Sequence, residues 1–246
     1  MTLSPELPAD RVIIQALQNG AIVLQGRFLN SSNSIFLGQI QYQGLHLDVV
    51  YKPLRGETPL WDFPHGTLAK REVAAFLVSE ALGWRLVPAT VFREDAPIGP
   101  GSVQRFIDHD PNRHYFSFSP ETIQRLKPAA IFDLLVNNAD RKASHILLDE
   151  NDRLFLIDHG ICFHAVWKLR TVVWDFAGQS FPPELVDDLR SFAGQLTADT
   201  PLACALENLL LPAERDALLS RARHLVKNPV FPFPDPAYRP YPFPPL

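Results

Sequence analysis

Cysteine is scarce in this chain: its 246 residues contain two, Cys162 and Cys204. Both stand in apolar surroundings at no spacing that suits a metal, so the sequence predicts two buried thiols. Charge of one sign is also lacking. Lys and Arg number 23 against 27 Asp and Glu, a net −4, which offers no support for nucleic-acid binding or for a basic face that docks on a membrane. No run approaches the ~20 apolar residues of a membrane span. Residues 1–8 lack the basic start and apolar stretch of a signal peptide, so the expectation is a cytoplasmic protein with no membrane span and no nucleic-acid partner. No internal repeat is evident. Apolar residues make up 46% and charged residues 20%, ordinary for a globular chain with a real core. The length suits one large domain or two small lobes around a cleft.

The most informative stretch is residues 132–159. It reads as the end of an apolar helix, a polar loop over 137–145, a strand, a turn at 150–153, and a second strand ending at Asp158. Hairpin geometry brings an acid in the loop, Asp140, close to an acid just past the paired strand, Asp158. Metal-assisted phosphoryl transfer needs such a pair. One carboxylate accepts the nucleophile's proton, and the other, with a loop partner, holds a divalent ion that bridges nucleotide phosphates. Asp133 sits in so apolar a stretch that it must be hydrogen-bonded, and it is expected to brace the loop.

Helical spacing predicts a helix over 9–19, ended by Gly20. Three strands over 21–29, 35–41 and 45–53 follow as an antiparallel meander. Ser31, Ser32 and Asn33 form a polar tip between the first two strands. It is either a solvated hairpin turn or a lid whose N–H groups and hydroxyls touch phosphates. Lys52 ends the third strand. Thr67 is positioned to cap a helix over 68–82, stopped by Gly83. Strands are expected over 84–93 and 102–107, and Ser119 with Pro120 starts another helix. Three scaffold helices follow over 183–192, 201–210 and 213–226. In residues 228–246, eight prolines alternate with Phe and Tyr. Proline this dense favours an extended form, either as a strap on the protein's own surface or as a ligand for a partner.

Asp140-Arg141-Lys142-Ala143-Ser144-His145 and Ile157-Asp158-His159-Gly160 resemble the catalytic and metal-binding loops of the phosphatidylinositol 3- and 4-kinase-like superfamily of atypical kinases, which includes the HipA-like kinases. The pattern there is Asp-Arg-His-x-x-Asn, a strand, then Ile-Asp-(Phe/His)-Gly. The resemblance covers roughly residues 24–160. It implies that Lys52 binds phosphate and that Glu72 pairs with it, a plain surface glutamate being the alternative. It further implies that Gln104, Arg105, Phe106 and Ile107 form the adenine-binding hinge, that Asp140 is the catalytic base, and that Asp158 is a metal ligand. This chain departs at two positions. Lys142 replaces a histidine near the transferred phosphate and supplies a permanent cation there. His145 replaces a metal-binding asparagine. Either it ligates, favouring Mn²⁺ over Mg²⁺, or Asp158 carries the metal alone.

The implied architecture is a two-lobed α+β protein-kinase-like fold. Residues 1–107 form an antiparallel-sheet lobe with one helix, residues 108–227 a mainly helical lobe, and residues 228–246 the strap. The implied activity is ATP- and metal-dependent phosphotransfer to a hydroxyl of a protein, lipid or small molecule. A nucleotide-binding pseudokinase and a nucleotidyl transferase using the same parts are the competing readings.

Overall fold

Helix α1 (Pro8–Asn19) leads into three antiparallel strands, β1 (Ala21–Arg27), β2 (Phe36–Tyr42) and β3 (Leu45–Pro53). The structure is a computed structural model and describes residues 8–28, 33–197 and 199–246. The hairpin between β2 and β3 turns on Gln43 and Gly44, both at positive φ, as a two-residue connection with right-handed strand twist requires. Alternation along β3 packs Val49 and Tyr51 in one cluster with Ala16 and Leu17 of α1. Lys52 therefore faces the opposite side of the sheet.

Helix α2 (Leu68–Ala81) follows a Pro- and Gly-containing loop. Strands β4 (Thr90–Arg93) and β5 (Gly101–Arg105) then complete a sheet ordered β1-β2-β3-β5-β4. The strand predicted over 84–93 is confined to its last four residues. Gly83 and Arg85 both take positive φ, and Ser79 Oγ accepts the N–H groups of Leu86 and Val87 at 2.8 and 3.2 Å, so the backbone there is bonded to α2 instead. Thr67 adjoins α2 but makes no side-chain cap, because its hydroxyl donates to the Pro64 carbonyl. Glu57 supplies an acceptor for the first turn, its Oε1 taking the Ala69 N–H at 2.8 Å. A carboxylate there also suits the positive end of the helix dipole.

The second lobe begins with α3 (Pro120–Gln124), capped by Ser119, and α4 (Lys127–Val136). The hairpin β6 (Ile146–Leu148) and β7 (Leu154–Leu156) follows, then α5 (Pro183–Thr197), α6 (Pro201–Glu207) and α7 (Pro212–Lys227). The largest core joins α4, α5, α7 and both hairpin strands to the apolar face of α2. Arg71 of α2 is fully buried and crosses to this lobe. Its guanidinium donates to Glu214 of α7 at 2.5 Å and to the Cys162 carbonyl at 2.6 Å. Cys162 is buried as expected, but Cys204 is exposed, with its thiol 3.4 Å from Asp199. It lies on the outer face of the short helix α6, where helical spacing buries Leu206. No helix among the described residues is long and apolar enough to cross a membrane.

Candidate active site

Three short elements bring the predicted chemistry together. The β6–β7 ladder pairs Ile146 with Leu156, and the Ile157 N–H donates to the His145 carbonyl at 3.0 Å. The loop that bears Asp140 and the residues after β7 therefore leave the hairpin side by side. His145 Nε2 stands 3.4 Å from Asp158 Oδ2. The paired strand ends at Leu156, two residues short of the sequence expectation, because Asp158 turns into the left-handed region at φ +63°. That conformation costs an L-residue on the order of 1–2 kcal/mol. The next residue is held in place, since the His159 N–H donates to Glu72 Oε2 at 3.0 Å.

Lys52 enters from the sheet. Its ammonium bonds Glu72 Oε1 and lies 3.1 Å from Asp158 Oδ1. Burial alone would lower the Lys52 pKa, but the Asp158 and Glu72 carboxylates outweigh it and raise the group above its ordinary value. Lys52 in turn holds Asp158 well below the usual carboxylate range. Burial pushes the Glu72 carboxyl up against the pull of Lys52.

Asp140 is the acid of the loop. Burial raises its pKa, although Lys142 Nζ, 3.3 Å from its Oδ2, opposes the shift. Burial also lowers the His145 pKa to about 4, so the imidazole is neutral at physiological pH. One carboxylate and one neutral imidazole make an open donor set. No group of three or more His, Cys, Asp or Glu side chains suited to a metal exists among the described residues. That donor chemistry fits a divalent ion whose remaining ligands are phosphate and water oxygens, rather than a closed protein cage.

Asp133 braces the loop as expected, through partners that the sequence did not name. Asp133 and Arg141 form a fully buried ion pair at 3.0 Å. Asp133 also accepts from Asn138 Nδ2 at 3.1 Å and from the Thr171 hydroxyl at 3.3 Å. Arg141 donates to the Ile157 carbonyl at 2.7 Å and meets His159 Nε2 at 2.8 Å. Asn138 Oδ1 receives the Asp140 N–H at 2.9 Å. Asn137 ends α4 at φ +53°, a conformation asparagine tolerates. Its amide bonds the carbonyls of His164 and Val166 and the N–H of Lys168. The Asn-Asn pair at a helix end was the available signal. It marked the loop but not the contacts with residues 164–171.

The remaining predicted residues are those of the polar tip and the hinge. Ser31 and Ser32 lie outside the described residues. Asn33 Oδ1 accepts the Thr58 N–H at 2.8 Å, joining the β1–β2 connection to the loop before α2. Gln104 and Arg105 belong to β5, where the Gln104 side chain bonds Thr90 and the Arg105 N–H goes to Ala89. The Phe106 N–H donates to Asp48. Ile107 is buried against Leu147 and Phe155 of the hairpin.

The family model for phosphatidylinositol 3- and 4-kinase matches residues 67–209 of this chain. Protein Rv2133c of Mycobacterium tuberculosis is 38% identical to it over 93% of both chains. Phosphatidylinositol 4-kinase gamma 4 of Oryza sativa subsp. japonica is 30% identical over 56% of this chain, a match spanning 27% of the rice protein. Among solved structures, hydra Fam20 with sugar superposes with a TM-score of 0.57 at 14% identity, covering 93% of this chain and 92% of that one. The Helicobacter pylori proinflammatory kinase CtkA gives 0.51 at 12% identity, covering 87% and 94%. At such identities the likeness is one of fold, and it is the two-lobed α+β kinase-like fold.

Proposed function

Because the chain belongs to the phosphatidylinositol 3- and 4-kinase family, we propose that this kinase-like phosphotransferase moves the γ-phosphate of ATP to a hydroxyl of a protein, lipid or small-molecule acceptor. The observation that carries this reading is the meeting of Lys52, Glu72 and Asp158, from opposite lobes, beside the loop that bears Asp140.

In this reading Lys52 binds the phosphates and Glu72 keeps its ammonium aimed into the cleft. Asp140 orients the acceptor hydroxyl and takes its proton, a role that a burial-raised pKa suits. Lys142, beside Asp140, stabilises charge on the transferred group. Asp158 and His145 would hold a divalent ion, which supplies charge neutralisation across the phosphates. The neutral imidazole of His145 suits Mn²⁺ better than Mg²⁺. Asn33 borders the phosphates and residues 104–107 border the adenine. The division into lobes at residues 107 and 227 belongs to the same reading.

The test uses γ-labelled and α-labelled ATP with Mg²⁺ or Mn²⁺, and the Asp140→Asn variant as control. The expected result is release or transfer of the γ-label that falls by roughly 10²–10⁴-fold in the variant. Transfer of the α-label would instead identify a nucleotidyl transferase, and ATP binding with neither label moved would identify a pseudokinase.

A further inference from the structure

Residues 228–246 lie as a strap along the second lobe. Phe231 is its anchor, almost fully buried, with ring centres 5.3 Å from Phe176 and 4.6 Å from Phe181. Around it the backbone pairs in both directions. Gly178 N–H donates to the Phe231 carbonyl, Phe231 N–H to Gln179, and Phe181 N–H to Pro229, at 2.8–2.9 Å.

Beyond the anchor, among the described residues, the strap meets the candidate active site through two backbone carbonyls. Proline carries no N–H, yet its carbonyl keeps full accepting capacity. The Pro240 carbonyl takes the Thr171 N–H at 3.0 Å, and the Pro245 carbonyl takes the Ala143 N–H at 2.8 Å. Both donors are critical to the loop. Ala143 is fully buried, midway between Asp140 and His145. Thr171 bridges in parallel to Arg141, and its hydroxyl bonds Asp133. The strap therefore bonds the loop directly at Ala143 and the backbone beside it at Thr171. A proline-rich chain is suited to this, because it is extended before it docks and loses little freedom on doing so.

We propose that residues 240–246 are a positioning element for the catalytic loop, with the Pro240 and Pro245 carbonyls fixing Thr171 and Ala143 and, through them, the attitude of Asp140 and His145. The consequence for turnover rests on the phosphotransfer reading above, whereas the ordering of the loop does not.

The experiment compares the full chain with one ended after Arg239, which keeps the Phe231 anchor. Hydrogen exchange is followed for residues 138–145 and 170–173, with 178–181 as internal reference. ATP affinity and γ-phosphate release are measured on the same samples. The expected result is about tenfold faster exchange at Ala143 and Thr171, the scale of one lost hydrogen bond, with the reference segment unchanged. Turnover should fall on the order of 10²-fold, with ATP affinity held within about twofold of the full chain, since Lys52 is untouched. Unchanged exchange overturns the proposal. So does faster phosphate release, which would make the strap a restraint on the site, and so does lost ATP affinity at unaltered turnover. If neither chain releases phosphate, the phosphotransfer reading fails and exchange alone decides the positioning. Should the shortened chain unfold, a full-length chain with 240–246 replaced by alternating Gly and Ser gives the same readout. Faster exchange there supports the proposal and parental exchange overturns it.

Discussion

The Lys52 ammonium stands 3.1 Å from Asp158 Oδ1, a contact between residues 106 apart in sequence that joins β3 to the turn after β7. Lys52 is also the largest cause of the depressed Asp158 pKa. Lys52→Met keeps the length of the side chain and deletes its charge. It should lower kcat/KM for ATP-dependent phosphate release by on the order of 10²-fold while leaving the fold intact by circular dichroism. Parental turnover in this variant would remove Lys52 from the phosphate site.

His145 brings the only nitrogen ligand to the proposed metal position, 3.4 Å from Asp158. Replacing it with asparagine exchanges an imidazole for a hard oxygen donor, which suits Mg²⁺ better. The ratio of Mn²⁺- to Mg²⁺-supported activity should fall several-fold in His145→Asn. Manganese binding followed by electron paramagnetic resonance should weaken in parallel. An unchanged ratio would leave Asp158 as the sole protein ligand.

The Asp133–Arg141 pair is buried on both sides. Deleting one partner of such a pair strands the other charge, which costs about 3–5 kcal/mol. Asp133→Ala should therefore lose that much in urea-induced unfolding, a large share of the roughly 5–15 kcal/mol that holds a domain together. A loss below about 1 kcal/mol would mean that Arg141 finds other partners.

His159 is fully buried, and burial holds its pKa well below the ordinary histidine value; His145 is lowered to about 4. Unfolded, both would titrate near 6.5. Below that pH the unfolded chain binds protons that the folded chain refuses, so stability falls as pH falls. The contribution is complete above about pH 6.5 and declines by roughly 1.4 kcal/mol per pH unit for each histidine toward its folded pKa. Urea midpoints measured without metal at pH 7.5, 6.0 and 5.0 should decrease in that order. His159→Gln should flatten the trend. A midpoint independent of pH would show that the imidazoles titrate alike in the folded and unfolded protein.

The β6–β7 hairpin was legible because its signals are local. An apolar helix, a polar loop and two short strands lie within one stretch, and the hairpin fixes how Asp140 and Asp158 emerge. The order of β1 to β3 was legible for the same reason. What escaped were contacts made across the chain. Glu57 serves the N-terminus of α2 from 12 residues away, and Thr171 reaches Asp133 across 38. Asn137 organises residues 164–168 through its side-chain amide, and nothing in its local pattern names those partners. The strand expected over 84–93 is confined to Thr90–Arg93 because Ser79, a polar residue inside α2, claims the backbone donors of Leu86 and Val87.

Arg71 precedes Glu72 on α2, and its guanidinium is sealed between Glu214 and the Cys162 carbonyl. Rotating α2 outward would uncouple Glu72 from Lys52, a familiar way of switching such a cleft off. Here the same rotation would drag a cation out of a dry socket, at a cost of several kcal/mol. The Arg71 socket thus ties the attitude of α2 to the second lobe and makes swinging the helix a costly way to open this cleft.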